Sequence, residues 1–146
     1  MVLAVPDSDK YAASVVQLIL KYGVLMVSIG KKVANFTLPA TGDKNLSLAD
    51  FKGKNLVIYF YPKDSTPGCT LEGQNFRDHC EEFRHAETEI LGVSRDGLRA
   101  HENFKAKQGF PFDLLSDSDE TLCKQFDVIH EKNMYGRKVM GIVRST

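Results

Sequence analysis

The sequence carries no surplus of charge: 19 Lys and Arg are balanced by 19 Asp and Glu over 146 residues, for a formal net charge of zero. Recognition of nucleic-acid phosphates needs a basic patch, and an acidic solvating tail needs a run of carboxylates; neither is present. Cysteine is scarce as well. Three cysteines, Cys69, Cys80 and Cys123, form an odd set without a Cys-x-x-Cys pair, which argues against a disulfide-stapled scaffold. The four histidines, His79, His85, His101 and His130, lack zinc-ligand spacing with a second cysteine pair, so no structural metal is expected. Cys123 reads as a small buried hydrophobe.

A long unbroken hydrophobic run is also missing. Tyr11 to Ile29 is mostly apolar, but Lys21 interrupts it and Ser14 and Gln17 dilute it. A charge near the middle of a membrane span costs about 3 kcal/mol on insertion scales. The residues before this segment include Asp7, Asp9 and one lysine rather than the basic start of a secretory signal. Residues 1–27 therefore read as an N-terminal extension with an amphipathic or buried helix, no membrane association is expected, and residues 28–146 form the domain proper. The expected location is the cytoplasm.

What is present suits one globular domain, with 42% hydrophobic and 26% charged residues. Phe36 to Leu38 reads as a short strand ended by Pro39, and Ser47 to Phe51 as a Ser-capped helical turn. Asn55 to Tyr61 is nearly all apolar, the pattern of a central strand buried on both faces. The spacing predicts one helix from Cys69 to about Arg84, with Leu71, Phe76, Cys80 and Phe83 on its apolar face. Further strands are expected at Glu89–Val93, Phe112–Leu115 and Lys138–Arg144, with helices at Leu98–Gln108, ended by Gly109, and at Asp119–Phe126. Strands alternating with helices imply an α/β domain on a mainly parallel sheet.

The run Tyr61-Pro62-Lys63-Asp64-Ser65-Thr66-Pro67-Gly68-Cys69-Thr70 places a thiol just after the buried strand, at the start of a predicted helix. A helix N-terminus offers free N–H groups and the positive end of the dipole, and both favour an anion such as a thiolate. Cys69 is thereby a candidate nucleophile.

These residues resemble the active-site segment of peroxiredoxins, in the peroxiredoxin Q (bacterioferritin comigratory protein) branch. The likeness runs through Tyr59 to Glu72, Leu91 to Asp96, Pro111 to Asp117, and Met134 to Arg137 on to Gly141–Thr146. It implies a thioredoxin-like fold and thiol-dependent reduction of hydrogen peroxide and alkyl hydroperoxides, in antioxidant defence, without a cofactor. It assigns Cys69 as the residue that attacks peroxide, Thr66 as the hydroxyl that orients peroxide and sulfur, and Arg144 as the cation on the thiolate and leaving oxygen. Pro62 shields the thiolate and Glu72 holds the arginine. Taken singly, each residue also fits a plain structural role: Pro62 as a turn residue, Thr66 as a helix cap, Glu72 as a first-turn acid, Arg144 as a surface strand residue.

Two departures follow from the same resemblance. Many members of the branch carry a resolving cysteine five residues after the reactive one, where this chain has Gln74, and others carry it in the helix matched here by His101–Gln108, which has none. Cys80 lies eleven residues on, roughly 16 Å along a continuous helix, whereas a disulfide needs Cα atoms within about 7 Å. A one-cysteine mechanism is expected, with thioredoxin or a small thiol as reductant, in a monomer or weak dimer. A peroxide sensor that oxidises once without turnover is the alternative. Family members also continue past Arg144-Ser145-Thr146 with a strand, a partner strand and a helix, so a C-terminally short domain with exposed sheet surface, or an inactive truncated form, is a further expectation.

Overall fold

The computed structural model describes residues 2–4, as backbone, and 27–146. Most of the Tyr11–Ile29 segment therefore lies outside the described residues. The chain runs β1 (Val2–Ala4), β2 (Thr37–Ala40), β3 (Lys44–Ser47), a 3-10 turn (Leu48–Phe51), β4 (Asn55–Phe60), α1 (Pro67–Asp78), α2 (Cys80–His85), β5 (Thr88–Ser94), α3 (Leu98–Gln108), β6 (Asp113–Ser116), α4 (Thr121–Gln125), β7 (Ile129–Met134) and β8 (Arg137–Ile142). A six-stranded sheet has the order β1-β4-β5-β6-β2-β3, and β7 and β8 form a separate two-stranded sheet. Among the described residues, parallel pairing is confined to β4–β5 and β5–β6, so the sheet is mixed where a mainly parallel one was expected. The flanking pairs β1–β4, β2–β6 and β2–β3 are antiparallel.

β4 explains the two-layered core. Alternate strand residues point to opposite faces. Leu56, Ile58 and Phe60 enter an apolar cluster with Val33, Phe36, Leu115, Leu122, Cys123 and Ile142. Val57, Tyr59 and Tyr61 enter another with Cys69, Cys80, Phe104, Phe110, Phe112 and Leu114. Cys69 and Cys80 thus lie on one face of the sheet and Cys123 on the other.

The expected sheet surface left bare beyond Arg144 is not found along β4. Its residues Leu56 to Phe60 are buried, and its outer edge is met by Val2–Ala4 and by Ser145, which bridges to Phe60. Apart from Ile29 and Leu71, the exposed large apolar residues among those described lie on the β7–β8 hairpin and just beyond it: Met134, Tyr135, Val139, Met140 and Val143.

The predicted helix from Cys69 to Arg84 is in fact two helices. His79 leaves helical geometry at φ −104°, ψ 8°, and its ring contacts the Asn75 carbonyl at 2.9 Å, where α1 ends. Of the expected apolar face, Phe76, Cys80 and Phe83 do pack in the cluster that holds Cys69, and Leu71 departs from it. Cys69, Gly73 and Cys80 are buried, whereas Leu71 is 59% exposed. The cause is Gly73, which lets the buried Phe110 ring pack against the helix backbone. By contrast α3 ends where predicted, with Gly109 in the left-handed conformation at φ 64°.

Candidate active site

The link from β4 to α1 sets the site. Thr66 is the N-cap residue and Pro67 the first helical residue, where a missing N–H costs nothing. The Thr70 N–H makes a helical bond back to the Thr66 carbonyl at 2.9 Å. The N–H groups of Gly68 and Cys69 precede that first turn and have no carbonyl one turn behind them. Cys69 is 2% exposed, so its sulfur sits at the positive helix end in a largely water-free setting.

Arg144, just past β8, reaches this sulfur from across the molecule. Its Nη2 donates to Cys69 Sγ at 3.4 Å, and its Nη1 pairs with the Glu72 carboxylate. Desolvation works against the Arg144 charge, but Cys69 and Glu72 outweigh it and hold the guanidinium above its ordinary value. Burial pushes the Glu72 carboxyl up, and Arg144 offsets part of the rise. Lys132 on β7 adds another cation in this field; burial, then Arg144 and Arg95, holds its ammonium below the usual range.

Three of the five residues expected at the site, Cys69, Glu72 and Arg144, are joined by direct contacts. Thr66 caps the same helix without a side-chain cap bond; its hydroxyl instead donates to the Lys63 carbonyl at 2.9 Å, leaving its oxygen lone pairs as acceptors. Pro62 is half-buried in the loop that follows β4. Beside Arg144 an open groove of about 520 Å³ is lined by Gly68, Leu71, Glu72, Phe76, His79 and Phe83. No group of three or more His, Cys, Asp or Glu side chains that could hold a metal exists among the described residues.

The other thiols differ in kind. Burial, then a hydrogen bond and the charge of Asp117, pushes the Cys123 thiol up, and Cys123 is fully buried. Burial raises Cys80 too, with Arg84 opposing. Gln74 donates to Gln108 Oε1 at 2.9 Å and so ties α1 to α3.

Sequence reasoning passed over Asp64 and His101. His101 is fully buried on α3, with Nδ1 2.7 Å from Asp64 Oδ2 and Nε2 3.0 Å from the Leu115 carbonyl. No local signal marked the pair: His101 sits in the polar helical run Arg99-Ala100-His101-Glu102-Asn103 and Asp64 in a turn, 37 positions apart.

Comparison with known proteins gives the family. The family model described as the AhpC/TSA family matches residues 29–146. The chain belongs to that family. Peroxiredoxin Bcp of Xanthomonas campestris is 58% identical over 115 residues, which cover 77% of this chain and 72% of the relative. Peroxiredoxin Bcp of Bacillus subtilis is 43% identical over 122 residues, covering 84% and 78%. A structure of the Xanthomonas campestris bacterioferritin comigratory protein, solved for insight into that protein's alkyl peroxide reduction activity, superimposes with a TM-score of 0.71 at 56% identity over 75% of this chain and 69% of that one. A cysteine-to-serine mutant of Xylella fastidiosa peroxiredoxin Q gives 0.73 at 45% identity over 82% and 74%. This peroxiredoxin of the Q (Bcp) branch thus has the thioredoxin-like fold and is a thiol-dependent peroxidase. No helix among its described residues is long and apolar enough to cross a membrane.

Proposed function

We propose that this peroxiredoxin reduces hydrogen peroxide and alkyl hydroperoxides through a sulfenic acid on Cys69, with an external thiol completing the cycle in the cytoplasm. The observation that carries the assignment of roles is the 3.4 Å contact from Arg144 Nη2 to Cys69 Sγ, made by a guanidinium also held by Glu72.

The Cys69 thiolate attacks one peroxide oxygen as the O–O bond breaks. Sulfur gains oxygen to become a sulfenic acid, and the other oxygen leaves as alkoxide or hydroxide and takes a proton from water. Negative charge passes from sulfur to the departing oxygen. Fixed donors that cost no reorganisation during the reaction serve that shift: the Arg144 fork and the Gly68 and Cys69 N–H groups. The Thr66 hydroxyl, with its proton committed to Lys63, accepts the peroxide O–H and turns the peroxide toward sulfur. Pro62 covers the thiolate. Thioredoxin or a small thiol then attacks the sulfenic sulfur and expels water, and a second thiol releases Cys69.

An external reductant is favoured by the placement of the other thiols. Cys123 lies in the cluster on the opposite face of the sheet from Cys69. Cys80 lies beyond the end of α1, which runs nine residues on from Cys69 to Asp78, about 14 Å of helix at 1.5 Å per residue. With one equivalent of peroxide, mass spectrometry after sulfenic-acid trapping is expected to show one added oxygen on Cys69. A Cys69–Cys80 or Cys69–Cys123 disulfide as main product would overturn the one-cysteine cycle. Cys69→Ser is expected to abolish thiol-dependent peroxide consumption, and an unchanged rate would remove Cys69 from the chemistry.

A further inference from the structure

A buried polar network stands directly behind the reactive loop, and the peroxide chemistry does not touch it. Tyr61 Oη donates to Asp64 Oδ1 at 2.7 Å, while Asp64 Oδ2 meets His101 Nδ1 at 2.7 Å. Burial, followed by the Asp64 charge, pushes the Tyr61 hydroxyl far up, so it can only donate to the carboxylate. The carbonyl of Leu115 only accepts, which assigns a proton to His101 Nε2 across the 3.0 Å contact. A further proton lies between His101 Nδ1 and Asp64. Asp64 is therefore pinned from two directions, by its own strand end and by α3.

The same residue shares a peptide group with Lys63. The Asp64 N–H donates to Asp96 Oδ2 at 2.9 Å, and the Lys63 carbonyl of that peptide receives the Thr66 hydroxyl proton at 2.9 Å. Asp96 is itself held, by Ser94 Oγ at 2.6 Å on its carboxylate and by Ser116 Oγ at 2.7 Å on its carbonyl. Between this peptide and Thr66 the chain passes through Ser65 at φ 60°, a left-handed conformation that a serine holds only where its surroundings require it. Hydrogen bonds at either end of Asp64 and the Lys63–Asp64 peptide thus join a fully buried histidine on α3 to the hydroxyl of Thr66, the residue at the start of the Cys69 helix.

We propose that Asp64, clamped by Tyr61 and His101, is a positioning residue for peroxide reduction, fixing the Lys63–Asp64 peptide that aims the Thr66 hydroxyl. The inference rests on the reading of Thr66 as the group that orients peroxide. Asp64 and His101 touch neither peroxide nor sulfur; they act through the peptide. A buried carboxylate–imidazole pair is a poor way to add stability compared with apolar packing, but it holds direction as apolar contacts do not.

The test is single-turnover oxidation of Cys69 in the full chain, by quenched flow and mass spectrometry, with a thermal melt for each variant. Asp64→Ala is expected to slow oxidation on the order of 10- to 100-fold, the cost of misplacing a reacting group by about an ångström. Asp64→Asn keeps an acceptor for Tyr61 and offers a donor to a His101 Nδ1 that has given up its proton, and is expected within about three-fold of wild type. Leu48→Ala, which opens a cavity in the other apolar cluster, is expected to lower the melting temperature and leave the rate unchanged. Should Asp64→Ala not fold, Tyr61→Phe removes one clamp alone and is expected to slow oxidation about three- to ten-fold. Wild-type rates in Asp64→Ala or Tyr61→Phe, or an Asp64→Asn rate as low as that of Asp64→Ala, would overturn the inference while leaving the peroxidase reading intact. If wild type itself consumes no peroxide, the peroxidase reading fails first and the inference with it.

Discussion

Arg144 holds two groups at once, the Cys69 sulfur and the Glu72 carboxyl. Burial raises the Glu72 carboxyl by more than Arg144 lowers it. A carboxyl raised in the folded state binds its proton more readily there than in the unfolded chain. The stability tied to it is therefore present below the unfolded value and lost as pH rises through the folded one. At neutral pH ionised Glu72 costs stability in return for holding Arg144. Glu72→Gln is expected to melt no lower than wild type at pH 7, and higher if anything, while oxidising Cys69 about ten-fold more slowly. A lower melting temperature at pH 7 would show that the ion pair outweighs burial. Tyr59 offers a simpler case. Its hydroxyl is buried with no hydrogen-bond partner among the described residues, an arrangement that costs roughly 1–3 kcal/mol. Tyr59→Phe is expected to raise the midpoint of urea unfolding, and a lowered midpoint would reveal a partner for that hydroxyl.

At the scale of elements, Gly73 decides how α1 lies on the sheet. A Cβ there would come within 2.4 Å of Phe110 Cζ and 2.9 Å of Cε1. Alanine would gain about 1 kcal/mol of helix propensity, but overpacking against a buried ring costs about 1–3 kcal/mol. Gly73→Ala is expected to destabilise, as read from urea unfolding, and to disturb the nearby Cys69; a stabilised variant would mean that Phe110 yields freely. This contact also explains a misreading. Periodicity counted Leu71 as core because it is apolar, but a glycine that admits a ring turns the buried stripe to Cys69, Gly73, Phe76 and Cys80. The break at His79 was equally hidden, because it depends on a ring folding back to the Asn75 carbonyl rather than on a Pro or Gly. Of the β7–β8 hairpin, β8 lies close to the strand expected at Lys138–Arg144, whereas β7 escaped notice because none of its residues is fully buried and no apolar alternation marks it. Its signature was the turn alone, Tyr135 and Gly136 at φ 52° and 79°. What could be read was what local chemistry dictates: the all-apolar β4, the Gly109 cap of α3, and the Pro-Gly turn that delivers Cys69 to a helix start.

The whole molecule is tied together by groups that no local pattern announces. Asp113 on β6 pairs with Lys44 at 2.7 Å and Lys105 at 2.6 Å and accepts from Thr41 Oγ1 at 2.9 Å, linking the β2–β3 turn to α3. Burial opposes its charge, but these partners prevail and hold the carboxyl below its usual range. Stability from a lowered carboxyl is present above the unfolded value and lost as pH falls through the folded one. Asp113→Asn is expected to lower stability by about 1–2 kcal/mol near pH 7 and to flatten the acid side of the stability profile. An unaltered profile would place the acid sensitivity elsewhere. The site spans a similar distance in sequence. Its cation comes from 75 residues beyond its thiol, and the segment that carries it meets the sheet through the Phe60–Ser145 bridge, N–H to carbonyl at 2.8 and 3.2 Å. That bridge lies on β4, the strand that also feeds the Cys69 loop. On the proposed role of Arg144, any partial opening that peels this segment from β4 takes the guanidinium away from the Cys69 sulfur, so attack on peroxide is expected to weaken before the chain unfolds, and the reactivity of one sulfur becomes a report on how completely the chain has folded.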